Sequence, residues 1–239
     1  MEAYLDNSAT TRVDAQVQEL MKKLMDVDFG NPSSRHQKGV VAEGYIKDAR
    51  QKIAATLKVD PKELIITSGG TESNNMALIG TALAAKRKGN HIITTAVEHP
   101  SVKATASFLE EQGFRITFLS VDSRGQISLE DLKEALTPDT ILVSIMYVNN
   151  EIGTIQPVEE AAKLVHATVP GVVFHVDAIQ AYGKVMIRPK QQGIDLLSVS
   201  SHKFHGPKGA GFLYCSSKVN LHPIIFGGGQ QSGMRSGTE

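Results

Sequence analysis

The sequence predicts a three-layer α/β fold in which helices cover both faces of a mostly parallel sheet of about seven strands. Two patterns carry this prediction. Short apolar runs rich in β-branched residues recur along the chain, and segments with helical spacing of apolar residues separate most of them. The length of 239 residues and the hydrophobic content of 41% are ordinary for a globular protein of this class.

The predicted strands are the apolar runs at residues 64–67, 92–97, 116–121, 141–148, 172–176, 196–199 and 210–214. Helical patterns lie between most of them, at residues 73–85, 102–111, 129–136 and 158–168. The loop between the last two runs is too short for a crossover helix. We therefore expect strand 210–214 to run antiparallel to strand 196–199.

The chain divides into a polar N-terminal segment, residues 1–12, and one large domain, residues 13–239, which begins ahead of the first strand. Asp14 is placed to begin a first helix, and a second helical pattern spans residues 39–57. The turn-forming stretch between them contains Arg35 and His36, whose side chains either serve a site or are simply solvated.

Charge and cysteine content exclude several function classes. Twenty-five basic residues balance twenty-five acidic ones, so no overall field favours nucleic acid or a membrane surface. The single cysteine, Cys215, excludes an internal disulfide and a multi-cysteine metal cage, which favours a reducing compartment. The N-terminus lacks the pattern of a secretory signal, and we expect a cytoplasmic protein.

A candidate site for covalent amine chemistry follows strand 196–199. Ser200, His202 and Lys203 stand at the predicted mouth of this strand, ahead of the turn at residues 206–209. A lysine in that position can hold a carbonyl cofactor as an imine. The alternative is that Lys203 is an ordinary exposed lysine.

A candidate phosphate site lies between strand 64–67 and the helix after it, where Gly70 and Thr71 occur in a glycine turn. Backbone N–H groups and a helix N-terminus can bind a phosphate there, together with the threonine hydroxyl. The alternative is a glycine turn with a threonine cap and no ligand.

Two further strand ends carry polar side chains. His99 follows strand 92–97 and can stack on an aromatic ring or move a proton, unless its role is structural. Asn149 and Asn150 follow strand 141–148 and can hydrogen-bond a phenolic oxygen or a carboxylate, or they form a turn.

Asp177 closes strand 172–176, and Gln180 follows it. A carboxylate at a buried strand end needs a cationic partner, which is either a lysine or arginine or the protonated nitrogen of a pyridine ring. Gln180 is placed to reach another substituent of such a ring.

One ligand explains all of these strand-end groups, because the carboxyl ends of parallel strands meet at one edge of a sheet. It has a flat ring, a phosphate, a basic nitrogen and an aldehyde. The sequence therefore predicts pyridoxal 5'-phosphate (PLP) as the cofactor, and it predicts no metal.

The sequence resembles the cysteine desulfurases of the class V aminotransferase family over essentially its whole length. The blocks that carry the resemblance are residues 4–11, 30–34, 67–75, 98–99, 149–153, 175–178, 201–209 and 227–238. The resemblance implies the large domain of a fold type I PLP enzyme with the cofactor bound covalently to Lys203.

The resemblance also implies roles for the other candidates. The phosphate is held by Gly70, Thr71, Ser200 and His202. His99 stacks on the ring and shares the catalytic role with Lys203, while Asp177 pairs with the ring nitrogen. Gln180 and Asn150 serve the ring oxygen and the substrate. Thr238 reaches the phosphate of a second subunit, which implies a homodimer.

The implied activity is the removal of sulfur from L-cysteine, giving L-alanine and a persulfide. The implied partner is a sulfur-acceptor protein, either an iron–sulfur scaffold or a tRNA-thiolation enzyme. Other class V enzymes, such as a selenocysteine lyase or an aminotransferase, remain alternatives, as does a binding or scaffold protein without activity.

The chain departs from the family pattern after Glu239. Members of this type continue into a small domain that supplies a sulfur-accepting cysteine and an arginine for the substrate carboxylate, and this sequence contains neither. Cys215 ends an apolar strand, so we expect it to be a buried structural thiol. We expect a truncated or cleaved form that binds cofactor but turns over little cysteine alone.

Overall fold

A computed structural model describes residues 3–239 of the chain; residues 1 and 2 of the predicted N-terminal segment lie outside the described residues. The strands are β1 (Leu64–Thr67), β2 (His91–Thr95), β3 (Arg115–Leu119), β4 (Thr140–Met146), β5 (Val173–Asp177), β6 (Leu196–Ser200) and β7 (Gly211–Cys215). The helices are α1 (Ala15–Asp26), α2 (Gln37–Leu57), α3 (Gly70–Ala85), α4 (Pro100–Glu111), α5 (Leu129–Ala135), α6 (Val158–Thr168) and α7 (Pro189–Gln192).

The seven strands form one sheet in the order β1-β7-β6-β5-β4-β2-β3. Strand β7 runs antiparallel to both of its neighbours, β1 and β6, and the other pairs are parallel. The predicted fold class and the predicted antiparallel run of β7 are confirmed. Because β1 is antiparallel to β7, it runs in the same direction as β6, and its carboxyl end lies at the same edge.

Two apolar clusters, one on each face of the sheet, form the core. The first packs strand residues such as Leu197 against α5, α6 and the end of α2. The second packs the alternate residues, such as Leu196, against α3 and α4. Leu196 and Leu197 are both completely buried, and each such side chain stabilises the fold by roughly 1.5–3 kcal/mol.

Helix α3 begins at Gly70, three residues before the predicted start at residue 73. Glycine has a low helix propensity, so the sequence pattern favoured a loop over residues 70–72. In the structure residues 70–72 are nevertheless helical, and this first turn packs closely against Ile179. The short helix α7 was not predicted, since four residues give no helical periodicity.

The glycine-rich tail after Phe226 packs against the outer edge of strand β1. The Gln231 side chain pairs with the backbone of Ile66 in both directions, accepting from its N–H at 2.7 Å and donating to its carbonyl at 2.8 Å. This amide therefore takes the place of a neighbouring strand and satisfies polar groups that the edge leaves unpaired. Among the helices of residues 3–239, none has the length and apolar character needed to cross a membrane.

Candidate functional site

A cavity of about 830 Å³ opens at the carboxyl ends of strands β1, β4, β5 and β6. Every predicted site residue except Thr238 lines it: Gly70, Thr71, His99, Asn150, Asp177, Gln180, Ser200, His202 and Lys203. The volume is typical of sites that enclose a cofactor or small ligand.

Lys203 ends a short 3-10 turn that directly follows β6. Its half-buried amine donates to the carbonyl oxygens of Ser8 and, at 2.9 Å, Ala9. Burial foremost, and then the charge of Lys184, lower the pKa of Lys203 below that of an ordinary lysine. A lowered pKa makes the neutral, nucleophilic amine easier to form.

The N-terminal segment forms one wall of the cavity, through Asp6, Ser8, Ala9 and Thr10. The sequence indicated a polar entry segment there and a block of the family resemblance at residues 4–11, but no contact with the site. Backbone bonds hold it in place, because the Thr11 N–H donates to the His202 carbonyl at 2.8 Å. These contacts join positions nearly two hundred residues apart, so no local sequence pattern predicts them.

Asp177 is the last residue of β5, and only 4% of its surface is exposed. Its carboxylate accepts from the Ile179 N–H at 3.0 Å and from the Asn74 amide at 2.8 Å. Burial raises the pKa of Asp177 despite these bonds. No lysine, arginine or histidine within residues 3–239 forms an ion pair with it, so this carboxylate can still accept a cationic partner from a ligand.

A buried hydrogen-bond chain connects Asp177 to His99. Asn74 donates a second amide hydrogen to the Ser101 hydroxyl at 2.9 Å, and that hydroxyl lies 2.8 Å from His99 Nδ1. The Ser101 N–H also donates to Nδ1, at 3.1 Å. Because Nδ1 accepts, a neutral His99 ring carries its hydrogen on Nε2. Sequence reasoning missed Asn74 and Ser101.

The turn before α3 presents free backbone donors to the cavity. The helix cap, Gly69, has a φ of 144°, which is a region that L side chains rarely adopt, and it supplies no side-chain cap. The N–H groups of the first turn therefore have no helical partner and can bind an anion. A Cβ at position 70 would overlap the Ile179 side chain, which would have to shift to make room for it.

His202, Gln180 and Asn150 complete the cavity wall. His202 Nδ1 lies 3.2 Å from the Thr10 hydroxyl, and burial, followed by the charges of Lys203 and Lys208, lowers the pKa of His202. The Gln180 amide donates to the Ser8 carbonyl at 2.8 Å, while Asn150 donates to Glu151 at 2.6 Å.

Asn149 has the turn-forming role that the sequence left open. It is buried, and its Oδ1 accepts from the N–H groups of Glu151 at 2.9 Å and Ile152 at 3.0 Å. Asn149 is absent from the cavity wall, whereas Asn150 faces it.

Glu98 is a buried acid bonded to the cavity residue Met146, and sequence reasoning gave it no role of its own. Its Oε1 accepts from the Met146 N–H at 2.8 Å and from the Thr95 hydroxyl at 2.9 Å, joining the ends of β4 and β2. Complete burial, and then the charge of Asp177, raise the pKa of Glu98 to about 8. Glu98 is therefore mostly neutral at physiological pH.

Thr238, Cys215 and the loop residues Arg35 and His36 lie outside this cavity. Thr238 is exposed on the tail, and its predicted contact with a second subunit stays a prediction. Cys215 ends β7, and burial raises the pKa of its thiol to about 12. The His36 side chain caps α2, which is a structural role.

The cavity thus combines an amine with a lowered pKa, a buried carboxylate without an ion-pair partner among residues 3–239, uncapped helix donors and an imidazole with its Nε2 hydrogen available. Such a set fits a planar ring that carries an aldehyde, a basic nitrogen and a phosphate. The phosphate fits the uncapped turn at Gly70, and the basic nitrogen fits Asp177.

Comparison with known proteins agrees with this arrangement. The profile of the family described as "Aminotransferase class-V" matches residues 3–238. The chain is 49% identical to the "Cysteine desulfurase IscS" of Dictyoglomus turgidum, covering 100% of this chain and 60% of that protein. It is 50% identical to the "Putative cysteine desulfurase IscS 1" of Bacillus subtilis, covering 99% of this chain and 62% of that protein.

Solved structures show the same likeness. One described as "NIFS-LIKE PROTEIN" superposes with a TM-score of 0.98 at 44% identity, over 100% of this chain and 66% of that one. Another, "SspA in complex with cysteine", gives a TM-score of 0.94 at 41% identity, over 100% of this chain and 69% of that one. The chain thus spans about 60% of the length of the curated relatives that it matches.

Proposed function

This chain belongs to the class V aminotransferase family, and we propose that its residues 13–239 form the PLP-binding large domain of a cysteine desulfurase. The family is PLP-dependent. The observation that carries the proposal is the meeting of the Lys203 amine, the Asp177 carboxylate and the uncapped turn at Gly70 in one cavity. The names of the relatives, cysteine desulfurases over the full length of this chain, support the choice of activity.

Six of the site residues would hold the cofactor by its phosphate, its ring oxygen and its ring nitrogen. Gly70 and Thr71 would donate to the phosphate from the helix N-terminus, and Ser200 and His202 would complete that cradle from the end of β6. Gln180 would donate to the ring oxygen. Asp177 would pair with the ring nitrogen and keep it protonated. The positive charge of the ring would in turn lower the cost of burying the Asp177 carboxylate.

When bound, PLP supplies an aldehyde for amines and a protonated ring that withdraws electrons from the substrate α-carbon. Lys203 would provide the ε-amine that holds the cofactor in the resting protein. With the substrate held on the cofactor, the Lys203 amine would take the α-proton at Nζ, and the protonated amine would return it. Its lowered pKa favours the neutral amine, which is the form that bonds the cofactor aldehyde and takes the proton.

His99 and Asn150 would position the reacting groups. The His99 ring is fixed through Nδ1 by Ser101, so its flat face and its Nε2 hydrogen remain available to the cofactor ring and its oxygen. The Asn150 amide would bind the substrate, without adding charge to the cavity.

The proposed substrates are L-cysteine and a thiol that takes its sulfur, and the proposed products are L-alanine and the persulfide of that thiol. Cys215 does not suit the sulfur-accepting role, because it lies outside the cavity and its high pKa disfavours the thiolate. We expect the persulfide sulfur to pass to an acceptor protein, either an iron–sulfur scaffold or a tRNA-thiolation enzyme. We also expect a cytoplasmic homodimer, with Thr238 placed at the phosphate of the partner subunit.

The test is to supply the intact PLP-loaded protein with L-cysteine and a reducing thiol, and to measure alanine and sulfide. Wild-type protein is expected to form both in equal amounts but only slowly, because Cys215 lies outside the cavity and the added thiol must take the sulfur, and Lys203→Ala is expected to form neither. Transfer of the amino group to a keto acid, with no alanine formed from cysteine, would contradict the proposal and indicate an aminotransferase.

A further inference from the structure

Glu72 stands in the first turn of α3, at the wall of the same cavity. Its Oε2 accepts from the Ser68 N–H at 2.8 Å. Arg235, on the C-terminal tail, donates to both carboxylate oxygens, from Nε at 2.8 Å and from Nη2 at 3.2 Å. The two side chains are 21% and 11% exposed, for Arg235 and Glu72 respectively, so solvent screens this pair only in part.

A carboxylate at this position has opposite effects on the helix and on a bound anion. It is favourable for the positive end of the helix dipole, but it repels a phosphate on the neighbouring N–H groups. Burial pushes the pKa of Glu72 upward, yet the bonds from Arg235 and Ser68 outweigh burial and lower it. Glu72 is therefore ionised, and its charge must be compensated if the turn is to bind an anion.

The tail that carries Arg235 is held at a second point. Gln231 pairs with Ile66 on the edge of β1 and also accepts from Arg50 at 2.7 Å. Gln231 and Ser232 both have positive φ values, 49° and 58°, which non-glycine residues rarely adopt. Gln231 thus holds the tail against the edge of β1, four residues before the Arg235 guanidinium that contacts Glu72.

We propose that Arg235 is a positioning residue whose ion pair with Glu72 neutralises the carboxylate beside the phosphate turn, so that docking of the tail raises the affinity of the site for PLP. The inference rests on the proposed function, since it concerns the same cofactor. It also predicts that the tail and the cofactor stabilise each other, because the coupling acts in both directions.

The test is a double-mutant cycle read by equilibrium binding of PLP to the apo form of the intact protein. Arg235→Gln leaves Glu72 unpaired and is expected to weaken PLP binding by about tenfold. Glu72→Gln removes the charge itself, and its affinity should remain within about threefold of wild type. The combination of both substitutions should restore most of the affinity lost in Arg235→Gln.

Two controls separate the ion pair from general effects. Arg124→Gln removes the same charge from an exposed pair with Asp122 outside the cavity, and its PLP affinity should equal that of wild type. Arg235→Lys keeps the positive charge without the two-pronged geometry and should fall between wild type and Arg235→Gln. Circular dichroism of each variant reports whether it is folded.

The inference is overturned if Arg235→Gln binds PLP as tightly as wild type, or if the double variant is as weak as Arg235→Gln. A loss of affinity in Arg124→Gln equal to that in Arg235→Gln would overturn it as well. In each of these results wild-type protein still binds PLP, so the proposed function stands. A wild-type protein that does not bind PLP would contradict both.

Discussion

Asn74 donates a hydrogen bond of 2.8 Å to Asp177, across 103 positions of sequence, and both residues are buried. The bond ties the first turns of α3 to the end of β5. It orients the carboxylate toward the cavity, and Asn74 holds Ser101 with its other amide hydrogen. One amide therefore positions both the Asp177 carboxylate and, through Ser101, the His99 ring.

Replacing Asn74 tests this arrangement. Asn74→Ala removes a buried hydrogen bond to a charged group, which contributes about 1.5–3 kcal/mol to stability, and leaves Asp177 free to rotate. We expect a lower free energy of unfolding and PLP binding weakened roughly tenfold, measured by urea unfolding and by absorbance titration.

Asn75→Ala is the matched control for this change. Asn75 is on the same helix but donates only to the Thr71 carbonyl, outside the buried chain. It should change PLP affinity by less than about twofold. An equal loss of affinity in both variants would show that the Asn74 bond has no special part in the site.

Substitution by alanine is expected to weaken PLP binding at Gly70 and to stabilise the fold at Gly44. Gly70→Ala places a Cβ against the Ile179 side chain in the cavity wall, so either that side chain or the turn must shift, and PLP should bind about tenfold more weakly. Gly44 lies within α2 with no neighbour within 4 Å of an added Cβ, and Gly44→Ala should stabilise the fold by about 0.5–1 kcal/mol. Thermal unfolding and PLP titration of both variants check these signs; unchanged PLP binding in Gly70→Ala would contradict the first.

Glu98 makes the stability of the fold dependent on pH. Its pKa is raised from 4.5 to about 8, so over this interval the native chain keeps a proton that the unfolded chain releases. The stabilisation from Glu98 is therefore complete below about pH 4.5 and is lost by about pH 8. Glu98→Gln keeps an acceptor for Met146 and Thr95 but cannot ionise.

The free energy of unfolding of Glu98→Gln, relative to wild type, should rise as the pH increases from about 5 to about 8. Urea unfolding of both proteins across that range measures the difference. Two pH profiles that run parallel would mean that Glu98 has an ordinary pKa in the native chain.

Cys215 should behave as a structural thiol. Because burial raises its pKa to about 12, a disulfide reagent should modify it slowly in the native protein and rapidly in urea. Cys215→Ala should leave PLP affinity unchanged. Fast native labelling, or loss of PLP binding in Cys215→Ala, would contradict this view.

The sequence predicted the positions of the seven strands well, because each strand is a short apolar run between turn formers. All seven belong to one sheet. It also placed Asp177 and Lys203 at one edge, since both follow parallel strands. The pairing of β1 with β7 was not predicted, because periodicity does not state which strands are neighbours.

The parts of the site that were missed depend on distant contacts. Asn74 reads as an ordinary helical asparagine, and Ser8 as part of a polar segment, until the fold brings them to Asp177 and Lys203. Arg235 likewise has no local signal, because its partner is 163 residues away. Sequence patterns show only the neighbours of a residue along the chain, whereas these roles depend on neighbours that the fold brings close in space.

The most direct test of this account is to reduce the PLP-loaded protein with borohydride, digest it and locate the cofactor by peptide mass spectrometry. We predict that the cofactor mass is found on the peptide containing Lys203, and that Lys203→Ala carries none. Cofactor fixed to another lysine, such as Lys184 or Lys208, with Lys203 unmodified, would contradict the central claim.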